Sequence, residues 1–228
     1  MSRRRHRVLR GGVVILIAEN DMRRPAEAFG VPEIVFSHIP ALPTAKSWRG
    51  YARDGMKHPG RNSPEFGAAL IGLLSKPGQI VHDPCAGVAT FLVEAMRAGR
   101  YAQGYEVEPT YHAAAQKNVA PFLGGLGIPP LIFLECADAR LRPPPIADLI
   151  LTSPPYPWQH SPGKGQKQVD RLAERGSTAG TEFETNAAGN LCSNGADYWG
   201  GLEELYRACM PPTGPDFGGV RLAVIVRS

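Results

Sequence analysis

Cysteine is scarce and unpaired in this chain. Only four of 228 residues are cysteine (Cys85, Cys136, Cys192, Cys209), and no two of them form a CxxC pair. A disulfide framework is thereby excluded, and a zinc or other metal site is not expected. Reduced thiols suit a cytoplasmic protein. Long apolar runs are also lacking. The longest, Val13–Ala18, falls far short of the ~20 residues that span a bilayer, so no membrane partner is expected. It follows arginines as a signal peptide would, but no clean small-x-small cleavage site comes after it, and it reads as a buried strand. No internal repeat is present. The three glycines of a GxGxxG dinucleotide fingerprint are missing, which speaks against a nicotinamide-dependent oxidoreductase.

What is present is enough apolar material, 43%, for a packed core, with charged residues at 20%. The net charge of +4 is unevenly placed. Residues 1–60 hold 11 Lys/Arg against 5 Asp/Glu, whereas the remainder is slightly acidic. Arg3, Arg4, Arg5, Arg7 and Arg10 form a cluster that suits either a phosphate backbone or a solvated tail.

Apolar strands alternate with amphipathic helices. Strands are predicted at Gln79–Asp83, Tyr101–Glu106, Leu131–Cys136, Ala147–Thr152 and Arg221–Val226, and helices at Thr90–Ala98, Pro109–Val119 and Tyr198–Met210. This order predicts an α/β fold with a mostly parallel central sheet covered by helices on both faces. Ligands of such sheets bind beyond the carboxyl ends of the strands, where strand order reverses. Residues 1–56 read as a basic N-terminal segment with short strands at Val13–Ala18 and Glu33–Phe36, and residues 57–228 as the main domain. Within it, residues 157–197 form a long stretch rich in Gly, Ser, Thr, Asn and Gln with little apolar periodicity, of the kind usually functional or disordered.

Four features carry chemistry. Asp83-Pro84-Cys85-Ala86-Gly87-Val88-Ala89-Thr90 follows a strand and opens a helix. Its acid precedes the turn, which suits a ligand bearing an ammonium group better than a pyrophosphate. Glu106 ends the next strand, about 20 residues on, where an acid typically accepts ribose hydroxyls. Asp138 follows the third strand and could accept an adenine amine. Ser153-Pro154-Pro155-Tyr156 follows the fourth. Its two prolines stiffen the corner and leave free carbonyls. An amine held by Ser153 Oγ and a proline carbonyl loses conjugation with its ring and becomes nucleophilic, while Tyr156 offers a face for an extruded base.

With these motifs in this order, the chain resembles the DNA amino-methyltransferases from about Lys57 to Val226. The resemblance implies a Rossmann-like methyltransferase fold and S-adenosylmethionine as cofactor. It implies methyl transfer to adenine N6 or cytosine N4 of a flipped base, as in restriction–modification systems, with Ser153 in the first motif position leaning towards cytosine N4. Ser153, Pro154, Pro155 and Tyr156 match the catalytic motif. His58, Pro59 and Ser63, within His58–Glu65, match the segment that helps hold the methionine end. Asp83, Pro84, Cys85, Ala86, Gly87, Ala89 and Thr90 match the cofactor loop, and Glu106 and Asp138 its ribose and adenine acids. Residues 157–197 take the place of a target-recognition loop, with Trp158, Lys164, Lys167 and Arg171 as nucleic-acid contacts. DNA is the expected partner, with RNA left open.

Three departures stand out. Cys85 replaces the family's phenylalanine. Ala89 replaces its second glycine, a change expected to fit if the alanine takes a negative φ. The family's closing antiparallel strand pair has no counterpart before Ser228. Either the chain is a fragment, or its N-terminal strands cover the edge that the last strand would expose. The competing readings are a tRNA guanine N2-methyltransferase and a non-catalytic nucleic-acid-binding fragment.

Overall fold

A computed structural model describes residues 13–17, 48–53, 58, 61–123, 131–143, 146–154, 198–209 and 221–226. Six strands appear in chain order: β1 (Val13–Ile17), β2 (Ile80–Asp83), β3 (Tyr101–Glu106), β4 (Leu131–Cys136), β5 (Leu149–Thr152) and β6 (Arg221–Val226). Four α-helices accompany them: α1 (Pro64–Leu74), α2 (Thr90–Arg97), α3 (Pro109–Val119) and α4 (Tyr198–Cys209). Each predicted strand and helix of the main domain is found, with ends shifted by a residue or two. The expected strand at Glu33–Phe36 lies outside the described residues.

The strands form one sheet in the order β1-β6-β5-β2-β3-β4, and every pair is parallel. Strands β2 to β6 take the doubly wound order of a Rossmann-like fold, and β1 fills the sixth place. This β1 pairing answers the question of the exposed edge: Val13 to Ile17 run in register with Leu222 to Val226.

Side chains alternate across the pleat and feed two cores. Val81, Ala102, Leu149 and Leu151 pack with Leu70, Phe91 and Leu92 from α1 and α2 on one face. Ile150 and Tyr105 pack with Leu202, Leu205 and Tyr206 of α4 on the other. His82 also lies deep in the sheet, fully buried, with the Tyr105 ring 5.5 Å away. Neither of its ring nitrogens has a hydrogen-bond partner, and burial holds its pKa down to about 3, so the imidazole is neutral.

The sequence reading did not anticipate α1, although its start signal is in the chain. Ser63 caps the helix: its Oγ accepts from the Phe66 amide at 3.5 Å and donates to Glu65 at 2.6 Å. Pro64 sits in the first turn, where its missing N–H costs nothing.

The loop before α2 corrects one expectation. Ala89 has φ 64° and ψ 31°, the left-handed conformation, and it is the only non-glycine residue with positive φ among those described. Only glycine adopts this conformation freely, so the alanine sits under strain of about 1–2 kcal/mol. A stability measurement checks this. Replacing buried Ala95 in the helix interior by glycine removes a methyl group and helix propensity, about 2 kcal/mol together. For Ala89→Gly, relief of strain offsets the lost methyl group and the added unfolded-state freedom, and the net change is within about 1 kcal/mol of zero. Equal losses at the two positions would contradict the strain.

Candidate functional site

The chain runs outward along β2 to β3 and β4, then returns to place β5 on the other side of β2. Strand order therefore reverses between β2 and β5, and their carboxyl ends flank a crevice. Asp83 ends β2 and Ser153 follows β5, and both line one hollow at that point. Of the predicted residues, His58, Cys85, Ala86, Gly87 and Thr90 line it as well. Arg61, Asn62, Val88 and Phe91 complete it.

Gly87 is required twice over. Its φ is +55°, and a Cβ there would stand 3.3 Å from His58 Nε2. The imidazole thus lies directly over the loop, edge-on to Tyr111 with ring centroids 4.2 Å apart. Burial, and secondarily the charge of Arg61, lowers its pKa to about 3, so His58 presents a neutral ring to the hollow.

The two strand-end acids are both buried. Asp83 is 2% exposed, and its Oδ1 accepts from the Cys85 amide at 3.0 Å. Burial pushes its pKa up to about 7, against the pull of that amide and of the nearby Thr152 hydroxyl. Glu106 is pushed up to about 7 by the same cause, although the amides of Glu108 and Gly87 favour its charge. Its oxygens accept from Gly87 at 2.6 Å and from Glu108 at 2.8 Å. Glu106 therefore fixes the loop through backbone amides, and it is not among the residues lining the hollow.

Other predicted residues fall differently. Asp138 caps the short turn at Ala139–Leu141 and is gripped by Arg140, with Arg140 Nη2 to Asp138 Oδ2 at 2.7 Å. Its carboxylate faces a guanidinium and is not among the residues lining the hollow. Ser63 is engaged in capping α1 and does not line the hollow either; its neighbour Asn62 does. Pro84 and Ala89 shape the loop without lining it. Pro154 is buried and does not line the hollow. Pro59, Pro155, Tyr156, Trp158, Lys164, Lys167 and Arg171 lie outside the described residues.

Four residues of the hollow, Arg61, Asn62, Val88 and Phe91, were not among the site residues read from sequence, and two of them are polar. Asn62 is 7% exposed, and its Oδ1 has no hydrogen-bond partner in the structure. A buried acceptor left unsatisfied costs roughly 1–3 kcal/mol, which a ligand donor would recover. Arg61 lies with its guanidinium 5.0 Å from the Trp48 ring centroid, and burial lowers its pKa. A buried carboxyl, an orphaned amide oxygen and a guanidinium around one hollow suit a ligand end that carries both an ammonium and a carboxylate.

A family profile for DNA methylases matches residues 30–117. Over this stretch the chain is similar to that family. The matched segment takes in His58, the Asp83–Thr90 loop and Glu106, while Asp138 and Ser153 lie beyond it. No curated protein matches the chain. Solved structures with some likeness include TrmN from Thermus thermophilus, at 19% identity and TM-score 0.37, covering 87% of this chain and 63% of TrmN. A type I restriction-modification methyltransferase subunit from Streptococcus thermophilus gives 19% and 0.38, covering 65% and 31%. Magnesium protoporphyrin IX methyltransferase from Synechocystis, solved with S-adenosylmethionine bound, gives 16% and 0.35, covering 59% and 61%. The chain thus spans less than two thirds of each of these proteins. Among the described residues, no helix is long and apolar enough to cross a membrane, and no cluster of His, Cys, Asp and Glu is arranged to hold a metal.

Proposed function

We propose that this chain methylates an exocyclic amine of a flipped base in DNA, with cytosine N4 favoured over adenine N6, using S-adenosylmethionine. The observation that carries the reading is the shared hollow at the strand-order reversal, where Asp83, Asn62 and Ser153 converge. Asn62 Oδ1 and the Asp83 carboxylate would receive the cofactor's ammonium, and Arg61 its carboxylate. Glu106 would accept ribose hydroxyls, and Asp138 would serve the adenine end once released from Arg140. When bound, the cofactor supplies an electrophilic methyl group on a sulfonium.

The remaining work falls to the protein. Ser153 Oγ and the carbonyl of Pro154 accept hydrogen bonds from the target amine and draw its lone pair out of conjugation. Tyr156 stacks on the extruded base, whose removal from the duplex costs a few kcal/mol. Rate then comes from positioning, not from a titrating nucleophile. Trp158, Lys164, Lys167 and Arg171 serve DNA binding in the 157–197 loop.

Mass analysis of nucleosides tests this. The protein is incubated with isotopically labelled cofactor and either duplex DNA or tRNA. Labelled N4-methylcytosine from DNA is the expected product. Label in tRNA guanine, or in no nucleoside at all, would overturn the reading. Tyr156→Ala should lower methyl transfer by about 10- to 100-fold, the worth of one base–aromatic stack, while cofactor affinity stays within about twofold. Unchanged turnover would remove Tyr156 from the mechanism.

A further inference from the structure

Ala89 holds a backbone conformation that its own side chain disfavours, so something else must hold it. The turn closes on itself through the Ala89 amide, which donates to Ala86 O at 2.7 Å. From β3, the Tyr105 carbonyl accepts from Ala86 N at 2.8 Å, and Glu106 takes the Gly87 amide. These bonds fix the first half of the loop. The second half is tethered from outside: Asn118 Nδ2 on α3 donates to the Val88 carbonyl at 2.8 Å. The other end of the same side chain accepts from the Ala52 amide at 2.6 Å. One partner is a backbone donor and the other a backbone acceptor, so only one orientation of the amide satisfies both. Asn118 is 1% exposed, and water does not compete for either bond.

Ala52 belongs to a strap, residues 48–53, anchored on the outer face of α2. Tyr51 Oη donates to Glu94 Oε1 at 2.8 Å, Arg97 lies 5.2 Å over the Tyr51 ring, and Trp48 meets that ring edge-on at 5.3 Å. The strap therefore cannot move without disturbing Ala52, nor Ala52 without Asn118.

We propose that Asn118 is a positioning residue for the cofactor loop: by bridging the strap at Ala52 to the Val88 carbonyl, it holds Ala89 in the left-handed conformation that the ligand-binding form of the loop needs. Its effect on affinity rests on the S-adenosylmethionine reading above; its effect on the loop does not. The bridge supplies by tertiary contact what a glycine at 89 would supply by its own freedom.

The test is a double-mutant cycle between Asn118→Leu, which nearly conserves volume, and Ala89→Gly, on the full chain. Calorimetry measures the S-adenosylmethionine dissociation constant, and urea titration measures stability. Asn118→Leu alone is expected to weaken binding by about tenfold. Made on top of Ala89→Gly, it is expected to cost less than about threefold, because glycine holds the conformation without a tether. The urea midpoint should stay lowered in both backgrounds, since the buried Val88 carbonyl and Ala52 amide lose their partner either way. Rescue of affinity without rescue of stability marks a positioning role. Equal affinity losses in both backgrounds, or no loss in either, would overturn it. A cofactor-free readout separates this from the functional reading: the HN–Hα coupling of Ala89, which reports φ, should change in Asn118→Leu. If the unaltered protein failed to bind cofactor while that coupling still changed, the methyl-transfer reading would fall and the loop inference would stand. An unchanged coupling would overturn the loop inference whatever the cofactor does.

Discussion

Asp83→Asn is expected to weaken S-adenosylmethionine binding by about 100-fold and to flatten its dependence on pH. A charge-assisted hydrogen bond in a dry site is worth roughly 1.5–3 kcal/mol, and the asparagine would also present a donor to an ammonium. The pH dependence follows from burial. Asp83 and Glu106 both have pKa values pushed up to about 7, so in the cofactor-free protein each is partly protonated at neutral pH. An ammonium selects the ionised carboxylate. Affinity should therefore fall as pH drops below about 7, by up to about tenfold per unit through Asp83, and binding should release protons. Calorimetry in two buffers of different ionisation enthalpy counts those protons. Affinity independent of pH between 5.5 and 8, or an unaltered affinity in Asp83→Asn, would place the ligand elsewhere.

The same groups set opposing trends in the stability of the free protein. A carboxyl with a raised folded pKa contributes stability at low pH and loses it as pH rises towards about 7, so Asp83 and Glu106 favour the folded chain in mild acid. His58 and His82 do the reverse: their folded pKa values lie near 3, below the usual 6.5, so their contribution is complete above about 6.5 and drains away as pH falls. Bound cofactor keeps Asp83 ionised, so the rise in melting temperature that it produces should grow from pH 5.5 to pH 8.

Gly104→Ala should destabilise the protein by about 3 kcal/mol, at the upper end of overpacking effects. Gly104 lies on β3 opposite Asp83, and a Cβ there would stand 2.7 Å from the Asp83 carbonyl oxygen and 3.1 Å from Leu92 Cδ1. The nearer obstacle is backbone in a paired strand, which cannot swing aside as a side chain can. The strain must push β2 away from β3 and carry Asp83 with it, so cofactor affinity should fall together with the urea midpoint. A stability change below about 0.5 kcal/mol, the level of a neutral surface substitution, would show that the strands have slack there.

Much of the architecture was legible because parallel strands buried on both faces read as apolar runs, and Asp83 and Glu106 stand at their ends. Helix α1 was equally legible in Ser63-Pro64-Glu65, a capping residue followed by a first-turn proline and acid. Other features are not written locally. The sign of φ at Ala89 depends on Asn118, 29 residues further on, and on the strap beneath it. Asn62 became visible only as an acceptor with nothing to accept, a property of the folded hollow and not of any motif. Asp138 was readable as an acid after a strand, but its partner Arg140 is two residues away and competes for the same oxygens. Ser153 lines the hollow, while Pro155 and Tyr156 lie outside the described residues and rest on sequence alone.

The parallel pairing of β1 with β6 bears on how the chain is made. Among the described strands, the one at the sheet's margin comes earliest in the chain, yet the strand it pairs with, β6, comes latest. At roughly 5–20 residues per second, ten to forty seconds separate the two on the ribosome. During that interval Val13–Ile17 must wait, because β6 has yet to emerge and fill the place between β1 and β5. The pairing of β1 is thus a late event among the described strands, and the nascent chain carries an unfinished margin until β6 has been made.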